Sequence, residues 1–125
     1  MFRVLLVEDE RSILKALSFE LEDDGYEVLH ASNYQEATCY MSAFECDLII
    51  SDLFFTCESG DGIQLLNQMK QGEREIPFIA MTAFPDTNLA YQAKKVLHDR
   101  FFVKPFCARQ LKKKVSEILN QPELC

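Results

Sequence analysis

The stretch Asp47-Leu48-Ile49-Ile50-Ser51-Asp52 constrains this chain more than any other. Its centre is a short apolar run with β-branched residues, closed by turn formers, and such a run predicts a strand buried on both faces. Asp52 ends it, at the place where open α/β sheets put their binding sites. A carboxylate there could equally serve only to cap the following loop, and on these residues alone the two readings balance.

The remaining chain repeats the theme. Phe2–Val7 predicts a first strand, and Glu8-Asp9-Glu10 follows it directly. Ile13, Leu14, Leu17 and Leu21 recur at helical spacing, so a helix is expected from about Glu10 to Asp23, acidic in its first turn and stopped at Gly25. Tyr26–Ala31 alternates as a second strand, with His30 read as a sheet-edge residue rather than a ligand. Asn33 and Glu36 have capping-box spacing and open a helix reaching about Phe44. After the central strand, Ser59-Gly60-Asp61-Gly62 is a turn cluster. The next helix carries Ile63, Leu66 and Met69 and breaks near Gly72. Pro77–Met81 reads as the fourth strand, Pro85 as the first residue of a fourth helix, and Phe101–Val103 as the fifth strand. A last helix from about Ala108 buries Leu111, Val115, Ile118 and Leu119, and Gln121–Cys125 reads as a fraying tail. Alternating strands and helices predict a parallel sheet covered on both faces, with right-handed crossovers.

Size and charge bound the function. A chain of 125 residues is expected to form one domain. Its net charge of −7 repels phosphate backbones and argues against nucleic-acid contact by this chain. The basic run Lys112-Lys113-Lys114 reads as a solvated helix end. Cys39, Cys46, Cys57, Cys107 and Cys125 are scattered, with no CxxC pair, which suits reduced thiols in the cytoplasm. No apolar segment has the length of a membrane span, and Val4–Val7 is too short and too closely followed by acids for a signal peptide.

The residues that follow the strands carry the chemistry. They are Glu8-Asp9, Asp52, Thr82-Ala83 and Lys104-Pro105. A parallel sheet brings all of them to one edge, and if the first and third strands are neighbours, Glu8, Asp9 and Asp52 crowd together at the switch point. Two carboxylates ~5 Å apart repel by roughly 3 kcal/mol at an effective dielectric near 20, so a proton or a cation must intervene. Few carboxylates and no softer ligand suit Mg²⁺. With Lys104 as a fixed cation and Thr82 as a hydroxyl donor, the set contains what phosphoryl transfer to a carboxylate needs.

Val4–Glu10, Asp47–Asp52, Met81-Thr82-Ala83 and Phe102-Val103-Lys104-Pro105-Phe106, in that order, closely resemble the receiver domain of two-component response regulators. The resemblance implies a flavodoxin-like doubly wound five-stranded parallel sheet in the order 2-1-3-4-5, with five helices. It implies a receiver domain over residues 1–121, with 122–125 as tail or the start of a linker. It further implies that Asp52 is the phosphorylated residue, that Asp9, Asp52 and the Phe54 carbonyl hold Mg²⁺ with Glu8 acting mainly through water, and that Thr82 and Lys104 hold the phosphoryl oxygens. Phe101 matches the aromatic that moves inward as Thr82 shifts, and the Lys104–Pro105 bond is expected to be cis. The implied partners are a sensor histidine kinase or phosphotransfer protein and a downstream output domain or protein, with phosphorylation switching the face formed by the fourth helix, fifth strand and fifth helix; a homodimer through the face from the fourth to the fifth helix is one further arrangement compatible with it. Such a domain signals rather than metabolises, with its own phosphoryl-transfer and slow autodephosphorylation activity.

The chain departs from that family at three places. Phe55-Thr56 replaces an apolar residue and Pro, and Gly62 suggests a loop two residues longer, with a mobile Thr56–Asp61 segment. Leu97-His98 replaces a Gly-Ala pair, leaving no glycine to end the fourth helix. Phe54 and Phe84 stand where many members carry polar residues that assist hydrolysis, so two rings are expected to shield the phosphoryl group. Rival readings are weaker. A haloacid-dehalogenase-type phosphatase needs an acid where Phe54 stands. A flavin mononucleotide binder needs a phosphate-cradling loop where Glu8-Asp9-Glu10 stands. The alternative with most weight is a receiver-like interaction module that is never phosphorylated, although such modules commonly lose one of the site residues retained here.

Overall fold

The computed structural model describes residues 1–54, 62–70 and 75–120. Ten elements alternate: β1 (Arg3–Val7), α1 (Arg11–Asp23), β2 (Glu27–Ala31), α2 (Tyr34–Ala43), β3 (Leu48–Asp52), α3 (Gly62–Lys70), β4 (Phe78–Thr82), α4 (Asn88–Leu97), β5 (Phe101–Val103) and α5 (Ala108–Leu119). All strand pairs are parallel, in the order β2-β1-β3-β4-β5. This is the expected doubly wound, flavodoxin-like sheet with β1 and β3 side by side.

The central strands are apolar on both faces because each face is covered. Leu5 and Val7 of β1, Ile49 of β3 and Phe78 and Ala80 of β4 pack with α2, α3 and α4. The alternate residues Val4, Leu6, Leu48, Ile50, Ile79 and Met81 pack with Leu14, Leu17 and Leu21 of α1 and Leu111 and Val115 of α5. Every residue of β3 and of β4 is buried. Ile118 and Leu119, expected in this core, are only partly buried against it.

Several element ends differ from expectation for local reasons. Phe2 and Tyr26 fall outside their strands; the Tyr26 N–H instead bonds Leu21 O at 3.2 Å as the chain turns through Gly25, whose φ of +94° suits glycine alone. Glu10 is the N-cap of α1, so Glu8-Asp9-Glu10 precedes the helix and its first turn carries no acid. Asn33 caps α2 as expected, accepting from Glu36 N at 2.8 Å. The Glu36 carboxylate, however, reaches one residue further back than a capping box requires, to Ser32 N at 2.7 Å and Ser32 Oγ. Pro77 lies just before β4 and accepts from Ile49 N through its carbonyl.

The fourth helix shows the largest shift. Pro85 sits in a turn, and α4 starts at Asn88, because Thr87 accepts from Ala90 N at 3.2 Å and so provides the cap. The helix ends at Leu97 without a glycine: His98 itself takes φ 56° and ψ −113°, a strained backbone for a residue with a Cβ. Lys112-Lys113-Lys114 lies in the middle of α5 rather than at its end. Lys112 pairs with Glu20 of α1 and with Asp24, its C-cap, and Lys114 with Asp99 and Glu117. Cys39 and Cys107 are free, exposed thiols, and Cys46 is buried. The expected mobile loop at 56–61, the helix break near Gly72, the tail at 121–125, Cys57 and Cys125 lie outside the described residues.

Candidate functional site

The sheet ladder runs one residue past the strand ends and thereby positions the site. Glu8 N donates to Ala31 O at 3.0 Å, Leu53 N to Met81 O at 2.9 Å, and Lys104 N to Thr82 O at 2.8 Å. Glu8, Asp52, Thr82 and Lys104 are therefore carried by rigid backbone and not by free loops. The Lys104–Pro105 bond is cis, as expected.

The side chains converge as the strand order requires. One carboxylate oxygen from each of Glu8, Asp9 and Asp52 lies within 4.8 Å of the others. Glu8 and Asp52 are buried, at 1% and 7% exposure, and Asp9 is half-buried. The Lys104 ammonium stands between two of them, donating to Asp52 Oδ2 at 2.8 Å and to Glu8 Oε1. Asp52 Oδ1 accepts from Phe54 N at 3.0 Å, so the loop-capping role of Asp52 and its place in the acidic cluster coexist. Glu8 also accepts from Glu10 N at 3.2 Å.

Electrostatics follow from this crowding. Burial pushes the Glu8 carboxyl up to about 7, opposed by hydrogen bonds from Lys104 and Glu10 and assisted by the Asp52 charge. For Lys104, burial alone would lower the ammonium, but hydrogen bonds to Asp52 and Glu8 outweigh it and the net shift is upward. An all-oxygen set of closely spaced carboxylates, one of them pushed towards protonation, fits a small hard dication. Glu8 is more tightly engaged than an outer, water-mediated role requires, since Lys104 bonds it directly.

Thr82 is fully buried, and its hydroxyl accepts from Phe84 N at 2.9 Å. Phe101 is half-buried in β5, paired with Ala80 and packed against the core under α2, α3 and α4. Two contacts escaped sequence reasoning. The rings of Phe54 and Phe84 meet edge-on, with centroids 6.1 Å apart and planes at 76°. Phe84 is nevertheless 61% exposed, so the expected shield is half open to solvent. The second is Gly62: a Cβ there would lie 2.3 Å from Asp52 O and 2.6 Å from Leu53 Cα. The start of α3 thus rests directly on the backbone of Asp52, a position that only glycine can take without movement. Its place at the helix start was legible; the close approach was not.

Comparison with known proteins agrees with this geometry. The family model described as the response regulator receiver domain matches residues 4–116. The chain is 30% identical over 122 residues to the alkaline phosphatase synthesis transcriptional regulatory protein PhoP of Bacillus subtilis, covering 98% of this chain and 50% of that protein. It is 32% identical over 120 residues to the phosphate regulon transcriptional regulatory protein PhoB of Pseudomonas aeruginosa, covering 94% and 52%. The chain therefore spans about half the length of the curated relatives it matches. Among solved structures it is similar to the response regulator TrrA of Thermotoga maritima in complex with Mg²⁺-BeF, with TM-score 0.79, 28% identity and coverage of 95% and 100%. It is equally similar to the chemotaxis response regulator CheY4 of Vibrio cholerae, with TM-score 0.80, 28% identity and coverage of 95% and 99%.

Proposed function

The chain belongs to the response regulator receiver domain family of two-component signalling, and on that premise we propose that Asp52 is its phosphoacceptor, charged from a phosphohistidine on a sensor kinase or phosphotransfer protein. The observation that carries this is the placement of one carboxylate, Asp52, within reach of two further acids and one lysine at the carboxyl edge of the sheet. In the proposed step an Asp52 carboxylate oxygen attacks phosphorus, a P–O bond forms, the P–N bond to the donor imidazole breaks, and the electron pair leaves with the imidazole, which takes up a proton. Lys104 holds one side of the accepting carboxylate, and its ammonium is the charge available to an equatorial phosphoryl oxygen. The Thr82 hydroxyl, one strand away, donates to another. Asp9, Asp52 and the Phe54 carbonyl are the proposed Mg²⁺ ligands, with Glu8 behind them; bound there, Mg²⁺ would offset the charge building on the phosphoryl oxygens. The similar structure of TrrA, solved in complex with Mg²⁺-BeF, supports magnesium as the ion by analogy.

The proposed output is a change of surface around α4, β5 and α5, with Thr82 and Phe101 as the switch pair, read by an output domain or by a second copy. The relatives are transcriptional regulators of about twice this length. This acidic chain is proposed to leave any contact with nucleic acid to other parts of such a system, and to act in the cytoplasm. No described helix is long and apolar enough to cross a membrane.

The test is intact mass after incubation with acetyl phosphate, with and without Mg²⁺, for wild type and Asp52→Asn. A magnesium-dependent gain of one phosphoryl group, lost in the variant, supports the reading. No gain from acetyl phosphate or from a phosphohistidine donor would favour the unphosphorylated interaction module.

A further inference from the structure

Phe84 stands where three contacts cross. Its N–H donates to Thr82 Oγ1 at 2.9 Å. Its ring meets the edge of Phe54, and Phe54 N donates to Asp52 Oδ1 at 3.0 Å. Its carbonyl accepts from the Thr87 hydroxyl at 3.2 Å, and that same hydroxyl oxygen caps α4 by accepting from Ala90 N. A contiguous route thus starts at the two reactive side chains, converges on one residue and leaves through the first turn of α4. At 61% exposure the Phe84 ring is not pinned by the core, whereas half-buried Phe54 packs against it. The position of Phe84 is therefore set mainly by these contacts.

We propose that Phe84 is a positioning residue that passes the state of Asp52 to the first turn of α4, through its edge contact with Phe54 and its bond to the Thr87 cap. This rests on Asp52 being the phosphoacceptor. The Thr82 hydroxyl accepts from Phe84 and still has its own hydrogen to give to a phosphoryl oxygen. Turning towards that oxygen displaces the acceptor that holds Phe84 N. A phosphoryl group on Oδ1 removes most of the acceptor strength that holds Phe54 N. Each event moves one end of an aromatic contact with a preferred edge geometry. The Phe84 carbonyl moves with it, and the Thr87 cap follows.

The experiment follows the amide signals of Ala90 and Tyr91 in ¹⁵N-labelled protein as Mg²⁺ and beryllofluoride are added, while the fluorine signal of bound beryllofluoride independently reports occupancy of Asp52. Wild type is expected to shift these amides in step with occupancy. Phe84→Leu, which keeps apolar bulk and every backbone bond but loses the ring edge, is expected to cut that shift about twofold or more with fluorine still bound, and Phe84→Tyr, which keeps the ring, to leave it full-sized. A full-sized α4 shift in Phe84→Leu with bound fluorine would overturn the proposal. So would an equal loss in Phe84→Tyr, since the edge contact with Phe54 is kept there. Absence of a bound fluorine signal in wild type would instead overturn the phosphoacceptor reading beneath it.

Discussion

Replacing Glu8 by glutamine isolates the energetic strain in the acidic cluster. Glu8 is buried beside Asp52, and its carboxyl titrates near 7 when folded instead of 4.5. A folded-state pKa raised in an acid means that the native state binds more protons than the unfolded chain between those two values. Stability contributed by Glu8 is then highest below about 4.5 and falls as pH rises through 7. Linkage puts the cost at about 1 kcal/mol near pH 5 and about 3 kcal/mol near pH 8. Glu8→Gln keeps the shape, removes the titration and forfeits a constant amount through its weaker bond with Lys104. The measurement is urea unfolding of both proteins in chelator at several pH values, taken as the difference between them. That difference should move in favour of the glutamine protein by about 2–3 kcal/mol from pH 5 to pH 8. Parallel curves would refute the reasoning, because every other titrating group is shared.

Three further outcomes are expected. Gly62→Ala should destabilise by about 1–3 kcal/mol, since its Cβ meets the Asp52 and Leu53 backbone; wild-type urea midpoints would contradict the close approach. His98→Gly should stabilise by about 1 kcal/mol by relieving a positive φ, visible in the same assay, and a loss of stability would mean that the imidazole compensates the backbone. Phosphorylated Phe84→Glu and Phe54→Asn proteins should lose phosphate faster, the glutamate variant by roughly 10²-fold as a positioned proton acceptor; unchanged rates would remove any shielding role from the rings.

Most of the site was legible because each of its members closes a strand or directly follows one. Glu8, Asp52, Thr82 and Lys104 stand one residue from, or at, the end of an apolar run, so recognising the runs and their parallel order brings them together. Loop geometry was less legible. Pro85 and Thr87 are both good helix starters, and the side-chain bond to Ala90 N, which selects Thr87, cannot be read from spacing. The Phe54–Phe84 contact needs the paths of two loops from adjacent strands. Likewise, Glu36 was the right residue for a cap, but its reach to Ser32 depends on the extended backbone of Asn33. The end of α4 was flagged by the missing glycine, and His98 answers it by adopting a glycine-like φ.

The outer strands bear on how this fold can associate. β5 pairs over only three residues and runs straight into Lys104 and Pro105, and Pro offers no donor to a further strand. On the other side, β2 carries Glu27, tied to Arg3, and an exposed His30. Charge and truncation thus blunt both margins against strand addition. A second copy that tried to extend the sheet would meet a lone proline on one side and charged side chains on the other. Association is left to the helical flanks, where exposed Tyr91 and Val96 of α4 lie. A fold closed at its margins in this way offers a partner its helical faces and not its sheet edges.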